Sequence, residues 1–105
     1  MTGIPFVTAL FNGRPVARVA LAPGESVLAG LEPSRCALIL NEDAKVSRIH
    51  CELRWDGRQT YVKDLSSNGT YFADGRRLDR GVDYPINLGM DVFLASGEYM
   101  LTISN

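Results

Sequence analysis

Two short polar clusters hold the groups of this chain that could do chemistry. Val46-Ser47-Arg48-Ile49-His50 offers a hydroxyl, a guanidinium and an imidazole, and Asp64-Leu65-Ser66-Ser67-Asn68-Gly69-Thr70 offers hydroxyls, a carboxylate and a carboxamide. A serine hydroxyl donates to an anion without a long side chain to order, and a guanidinium adds permanent charge and a fixed fork of donors. A carboxamide donates and accepts at once, as a peptide backbone requires. These groups suit the gripping of an anion. They do not suit bond breaking: the chain has a single histidine, and Cys51 is expected on the opposite strand face from His50. No glycine-rich phosphate loop leads into a helix, and neither cysteine has metal-ligand spacing. No enzymatic activity, cofactor or metal is expected. Taken singly, each residue also has a plainer role. Ser47 can cap a turn, Asn68-Gly69 is a turn pair by composition, and Arg48 can be a solvated charge.

The clusters need elements that bring them together, and the intervening residues supply them. Ile49, Cys51, Leu53 and Trp55 alternate with His50, Glu52 and Arg54, the period of a half-buried strand. Asp56-Gly57 then predicts a two-residue type I′ hairpin turn, and Gln59 to Leu65 returns antiparallel. The far end of the second strand comes back beside the start of the first. Ser47-Arg48 and Ser67-Asn68 should therefore emerge at one edge of a sheet.

Elsewhere the chain repeats the same grammar. Phe6 to Phe11 and Pro15 to Leu21 form a hairpin about Asn12-Gly13, and Val27 to Ala29 is a short strand. Gly30 to Arg35 is a loop, Cys36 to Leu40 an apolar and central strand, and Asn41 to Ala44 a second loop. After Thr70 come a short strand through Phe72, a turn at Asp74-Gly75, the segment around Tyr84-Pro85-Ile86, Asp91 to Ala95, and Glu98 to Ser104. Gly, Pro and Asn signals recur about every ten residues with no sustained helical period, which predicts an all-β antiparallel sandwich.

Ser47-x-x-His50, a strand pair, and then Ser67-Asn68-Gly69 resemble the forkhead-associated (FHA) family of phosphothreonine-peptide binding modules, and the resemblance spans nearly the whole chain. It implies a β-sandwich of two sheets with binding loops at one end. It implies further that Ser47 and Ser67 contact the phosphate, that Arg48 contacts the phosphate or the peptide, that Asn68 holds the peptide main chain, and that a small pocket for the γ-methyl prefers phosphothreonine to phosphoserine. His50 is implied to brace the loops by hydrogen bonding, with Gly30, Asp64, Gly69 and Thr70 as further structural support. Leu88-Gly89-Met90-Asp91-Val92 resembles the family's closing stretch with one residue intruded.

Two departures bear on function. Where the family carries Gly-Arg, with that arginine as the main phosphate cation, this chain has Gly30-Leu31. Charge-assisted hydrogen bonds contribute roughly 1.5–3 kcal/mol each, so the loss of such an arginine is worth about two orders of magnitude in affinity. Arg35, four residues on, is the expected substitute, with Arg48 and Lys45 nearby. The family's aspartate after the cysteine position is here Ala37, and its later Asn-Gly is Asp74-Gly75. Two functions are therefore expected in order: a phosphothreonine-recognition module in signalling or regulated assembly, or an FHA-fold scaffold without phosphate binding, as in subunits of bacterial secretion systems. The partner in the first case is a phosphothreonine-bearing protein or peptide, such as a Ser/Thr kinase or its substrate.

Composition sets the outer bounds. One domain over residues 1–105, cut from a longer protein or not, is the expectation for a chain of 105 residues that is 46% hydrophobic. Eleven Lys and Arg balance twelve Asp and Glu, so the cationic excess of a nucleic-acid binder is missing. No apolar run approaches the ~20 residues of a membrane helix and no signal peptide is visible. Free buried thiols at Cys36 and Cys51 in a reducing cytoplasm complete the expectation.

Overall fold

A computed structural model describes residues 3–105, so the first two residues of the expected domain, Met1 among them, lie outside the described residues. Ten strands follow one another: β1 (Phe6–Phe11), β2 (Arg14–Ala20), β3 (Ser26–Gly30), β4 (Leu38–Ile39), β5 (Cys51–Trp55), β6 (Thr60–Asp64), β7 (Thr70–Phe72), β8 (Asp83–Ile86), β9 (Asp91–Leu94) and β10 (Tyr99–Ser104). They form two five-stranded sheets, ordered β2-β1-β10-β9-β7 and β4-β3-β5-β6-β8. Period-2 alternation decides which residues face inward. Val7 and Ala9 of β1, Tyr99, Leu101 and Ile103 of β10, Leu53 of β5 and Val62 of β6 are buried in one core between the sheets. The all-β sandwich expected from the turn spacing is what the chain forms.

Turn chemistry fixes the hairpins. Asn12 and Gly13 both take positive φ, 50° and 83°, the I′ geometry expected of that dipeptide. The β5–β6 turn differs from expectation by one position. Positive φ occurs at Gly57 alone (100°), and the Asp56 N–H donates to the Gln59 carbonyl (3.1 Å). Gly57-Arg58 thus occupies the centre, with glycine first, the II′ arrangement. Asp56 is freed to accept from the Arg58 and Gln59 N–H groups at 2.8 and 2.7 Å.

Two further expectations change. Cys36 to Leu40 is not a central strand: only Leu38–Ile39 pairs, at the sheet edge and parallel to β3. The Cys36 N–H instead donates to the Glu32 carbonyl at 3.0 Å, so the preceding residues coil and shorten the strand. His50 also leaves the alternation. It is fully buried, directly before the equally buried Cys51, because β5 begins only at Cys51 and His50 lies in the loop leading to it.

Among the described residues no helix is long and apolar enough to cross a membrane. Cys36 and Cys51 are free and buried. Burial raises both thiols above the ordinary cysteine value, which keeps them protonated and unreactive.

Candidate functional site

Strand order β3-β5-β6 sets three loops side by side at one end of the sandwich. Cys51 pairs with Asp64, and the Leu65 N–H donates to the His50 carbonyl at 2.9 Å. The residues preceding β5 and following β6 therefore emerge together, as the hairpin register requires.

Gly30 lets the first two loops close on each other. A Cβ there would overlap the Arg48 carbonyl and stand 2.9 Å from the Ser47 oxygen. With glycine in place, the Leu31 and Glu32 N–H groups donate to the Ser47 and Arg48 carbonyls, both at 3.1 Å. The Cys36 thiol donates to the same Arg48 carbonyl at 3.4 Å. The Ser47-Arg48 backbone is thereby fixed from one side.

His50 fixes it from the other. The Ser47 N–H donates to His50 Nδ1 at 3.1 Å, and Nε2 lies 2.9 Å from the Gly69 carbonyl oxygen. A backbone N–H can only donate and a carbonyl can only accept, so the ring is the neutral tautomer with its proton on Nε2. Burial holds the His50 pKa below its ordinary value; the Gly69 contact and the charges of Asp64 and Asp43 oppose this only in part. Protonating Nδ1 would set two donors against each other. One neutral imidazole thus links the loop before β5 to the loop after β6.

Asp64 organises the third loop. Alternation along β6 points it inward after Thr60 and Val62, and it is fully buried. Its Oδ1 accepts from the Ser66 N–H (3.1 Å), the Ser66 hydroxyl (2.6 Å) and the Thr70 hydroxyl (2.8 Å). Among the described residues its Oδ2 has no partner. The Ser66 oxygen in turn accepts from the Gly69 N–H at 2.8 Å. Gly69 has φ near 98°, and a Cβ there would meet the Tyr71 hydroxyl. Ser66, inside this knot, carried no separate signal in the sequence, where it is simply the first of two adjacent serines.

Cross-ties then join the exposed tips. The Ser67 N–H donates to Ser47 Oγ at 3.1 Å, and Asn68 Nδ2 donates to the Lys45 carbonyl at 2.8 Å. Behind them Asp43 anchors residues 41–46, accepting from the Lys45 N–H at 3.0 Å and the Ser96 hydroxyl at 2.7 Å. Burial works against ionisation of Asp43, yet these two bonds hold its pKa below the usual value.

Between the tips lies an open cavity of about 490 Å³. Ser47, Arg48, Ser67 and Arg35 line it, so four of the five expected ligand contacts share one space. The fifth, Asn68, is not among the residues lining it, and one of its amide hydrogens is committed to the Lys45 carbonyl. Ser47 Oγ accepts from Ser67, which leaves its own O–H free to donate into the cavity. Ile49 and Leu65 supply an apolar part of the wall. Leu31, in the family's arginine position, packs against the hydrophobic core.

Three residues at this end had no assigned place in the sequence reading. Glu32 is one of the residues lining the cavity. Arg77 and Arg80 donate to the Ser67 and Leu65 carbonyls, both at 3.4 Å, behind the third loop. Glu32 arrives through the coiling of residues 32–36, Arg80 through β8 lying next to β6, and Arg77 through its bridge to Tyr71 of β7. None of these shows in a local motif.

Comparison with known proteins agrees with this fold. A family model described as FHA domain matches residues 24–94. The MEK1 FHA domain is similar at 24% identity, with 94% of this chain and 87% of that chain covered and a TM-score of 0.81. The FHA domain of CT664 protein from Chlamydia trachomatis is similar at 20% identity, with 98% of each chain covered and a TM-score of 0.81. The N-terminal FHA domain of Rad53p from S. cerevisiae, solved in complex with a phosphothreonine peptide, gives 16% identity over 95% of this chain and 91% of that chain, with a TM-score of 0.75. No curated protein sequence matches significantly.

Proposed function

This chain belongs to the FHA domain family, and on that premise we propose that it is a phosphothreonine-peptide binding module rather than an enzyme. The carrying observation is that two hydroxyls, Ser47 and Ser67, and two guanidiniums, Arg35 and Arg48, line one cavity. Among the described residues neither guanidinium is ion-paired. A phosphate monoester brings nearly two negative charges and three acceptor oxygens, and these four groups meet both requirements. Ser47, already fixed by His50 and Ser67, donates its hydroxyl proton. Arg35 takes the place of the cation lost at Leu31, and Arg48 adds a second. Ile49 and Leu65 offer apolar surface to the threonine γ-methyl. Asn68 retains its amide oxygen and one N–H for the peptide main chain. We read residues 1–105 as one such module acting in the cytoplasm, where a Ser/Thr kinase or its substrate carries the phosphothreonine.

The test is titration of a phosphothreonine peptide library against the purified domain, followed by calorimetry on the best binder. Ser47→Ala should weaken binding at least ~10-fold, as expected for a lost bond to a charged group. Arg35→Ala combined with Arg48→Ala should reduce it to the level of the unphosphorylated peptide. Phosphorylated and unphosphorylated pools bound equally would sink the proposal.

One observation favours a second reading. Leu31, partly buried, packs against the core, and its side chain contributes no donor. An FHA-fold scaffold that recognises its partner without phosphate has no need of one. On that reading Ser47→Ala leaves partner binding unchanged, and a partner lost on this substitution defeats it.

A further inference from the structure

The cavity is charged unevenly, and the sheet order gives the unevenness a direction. Along β3-β5-β6-β8, Glu32 and Arg35 follow the first strand, Ser47 and Arg48 precede the second, Ser67 follows the third, and Arg80 precedes the fourth. Arg77 bridges Tyr71 of β7, at the edge of the other sheet, and reaches the Ser67 carbonyl from there. Glu32 is half-buried, its N–H is fixed on the Arg48 carbonyl, and it is one of the residues that line the cavity. Among the described residues it makes no ion pair with either neighbouring guanidinium. Once a phosphate engages Arg35 and Arg48, the Glu32 charge is what remains on that side.

Beyond the third loop the sign reverses. Arg77 and Arg80 each have one Nη2 contact on the outer carbonyls of that loop. Arg77 also lies 5.8 Å from the Tyr71 ring centre, and among the described residues neither guanidinium makes another hydrogen bond, so most of the five donors of each stay free. Arg76 does not count, since it pairs with Asp74 and lies over the Phe72 ring. Asp79 stands between the two arginines and offsets one of their charges, leaving this side positive. Neighbouring strands lie about 4.8 Å apart, so β3 to β8 spans roughly 14 Å, the reach of four or five extended residues. A peptide crossing the loops can therefore touch both sides while its phosphate sits between them.

Building on the phosphopeptide reading, we propose that this site reads the direction of charge along its ligand: a basic side chain toward Glu32 and an acidic or second phosphorylated side chain toward Arg77 and Arg80. Two phosphothreonine peptides of identical composition test it, with Lys on one flank and Asp on the other, two or three residues from the phosphothreonine, and the flanks exchanged between them. Equal net charge cancels general electrostatic attraction. Calorimetry should show one orientation binding at least about fivefold more tightly, as two or three exposed charge pairs allow. Glu32→Gln and, separately, the pair Arg77→Gln with Arg80→Gln should each shrink that ratio, and replacing the Asp by phosphoserine should widen it. Equal affinities for the two orientations, with both still dependent on phosphate, would remove the polarity and leave the phosphopeptide reading standing. A ratio unmoved by both sets of variants would likewise overturn it. If neither peptide binds better than its unphosphorylated form, the phosphopeptide reading fails and the polarity falls with it.

Discussion

The two ends of the β5–β6 hairpin are built on opposite principles. At the far end, residues 56–59 close by local means: Asp56 accepts from the N–H groups of Arg58 and Gln59, two and three residues away. At the loop end, buried local bonds around Asp64 are joined by non-local ones. His50 reaches Gly69, Ser67 reaches Ser47 and Asn68 reaches Lys45, across 19, 20 and 23 residues. A turn that satisfies itself can be altered with small consequence. A site assembled from distant residues forms only when the sandwich forms, and each tie helps hold the others. Binding groups can be preorganised at the second kind of end and not at the first.

Substitutions can break this contrast, and the largest effect should come from Asp64. Asp64→Ala removes the acceptor of three buried donors, leaving Ser66 and Thr70 unsatisfied. A loss of about 3–5 kcal/mol in urea unfolding is expected. Gly30→Ala should follow at about 2–3 kcal/mol, since its methyl must displace the Ser47-Arg48 backbone. It should also cost ligand affinity beyond what stability explains, which calorimetry well below the melting temperature would reveal. Asp56→Ala, at the other end, should move the unfolding midpoint only slightly and leave the loops untouched. Equal costs for Asp64→Ala and Asp56→Ala would erase the distinction between the ends.

pH sharpens the comparison further. Burial depresses the pKa of His50 in the folded state, so the unfolded chain takes up a proton first as pH falls through about 6.5. The stability contributed by neutral His50 is complete above that value and is lost progressively below it, by at most about 1.4 kcal/mol per pH unit. Unfolding midpoints between pH 7.5 and 5.5 should fall for the native chain and fall less for His50→Gln. The first loss of protection in hydrogen exchange should appear at the amides of Ser47 and Gly69, and not at Gln59.

What the sequence made legible divides along the same line. Asn12-Gly13, the Ile49–Trp55 alternation and the recurrence of turn residues identify the sandwich, because each is a local signal of local geometry. The meeting of Ser47 with Ser67 was also readable, since hairpin register carries one loop to the other. Less was readable where a residue's place depends on elements far along the chain. Cys36 to Leu40 looks like a central strand by apolarity alone, yet only Leu38–Ile39 pairs, at an edge. His50 reads as a polar-face strand residue, yet it is buried because the strand starts one residue later. Gly57-Arg58 displaces Asp56-Gly57 because Asp56 is worth more as an acceptor than as a turn centre. Glu32, Arg77 and Arg80 form part of this end only through strand order and packing, which no dipeptide encodes.

The most direct test is to follow backbone amide shifts while the domain is titrated with a phosphothreonine peptide and, separately, with the same peptide unphosphorylated. The account predicts phosphate-dependent shifts centred on residues 31–35, 45–50 and 65–69, with Ser47 and Ser67 among the largest and residues 56–59 silent. Shifts centred on residues 56–59, or identical shifts with and without the phosphate, would contradict it.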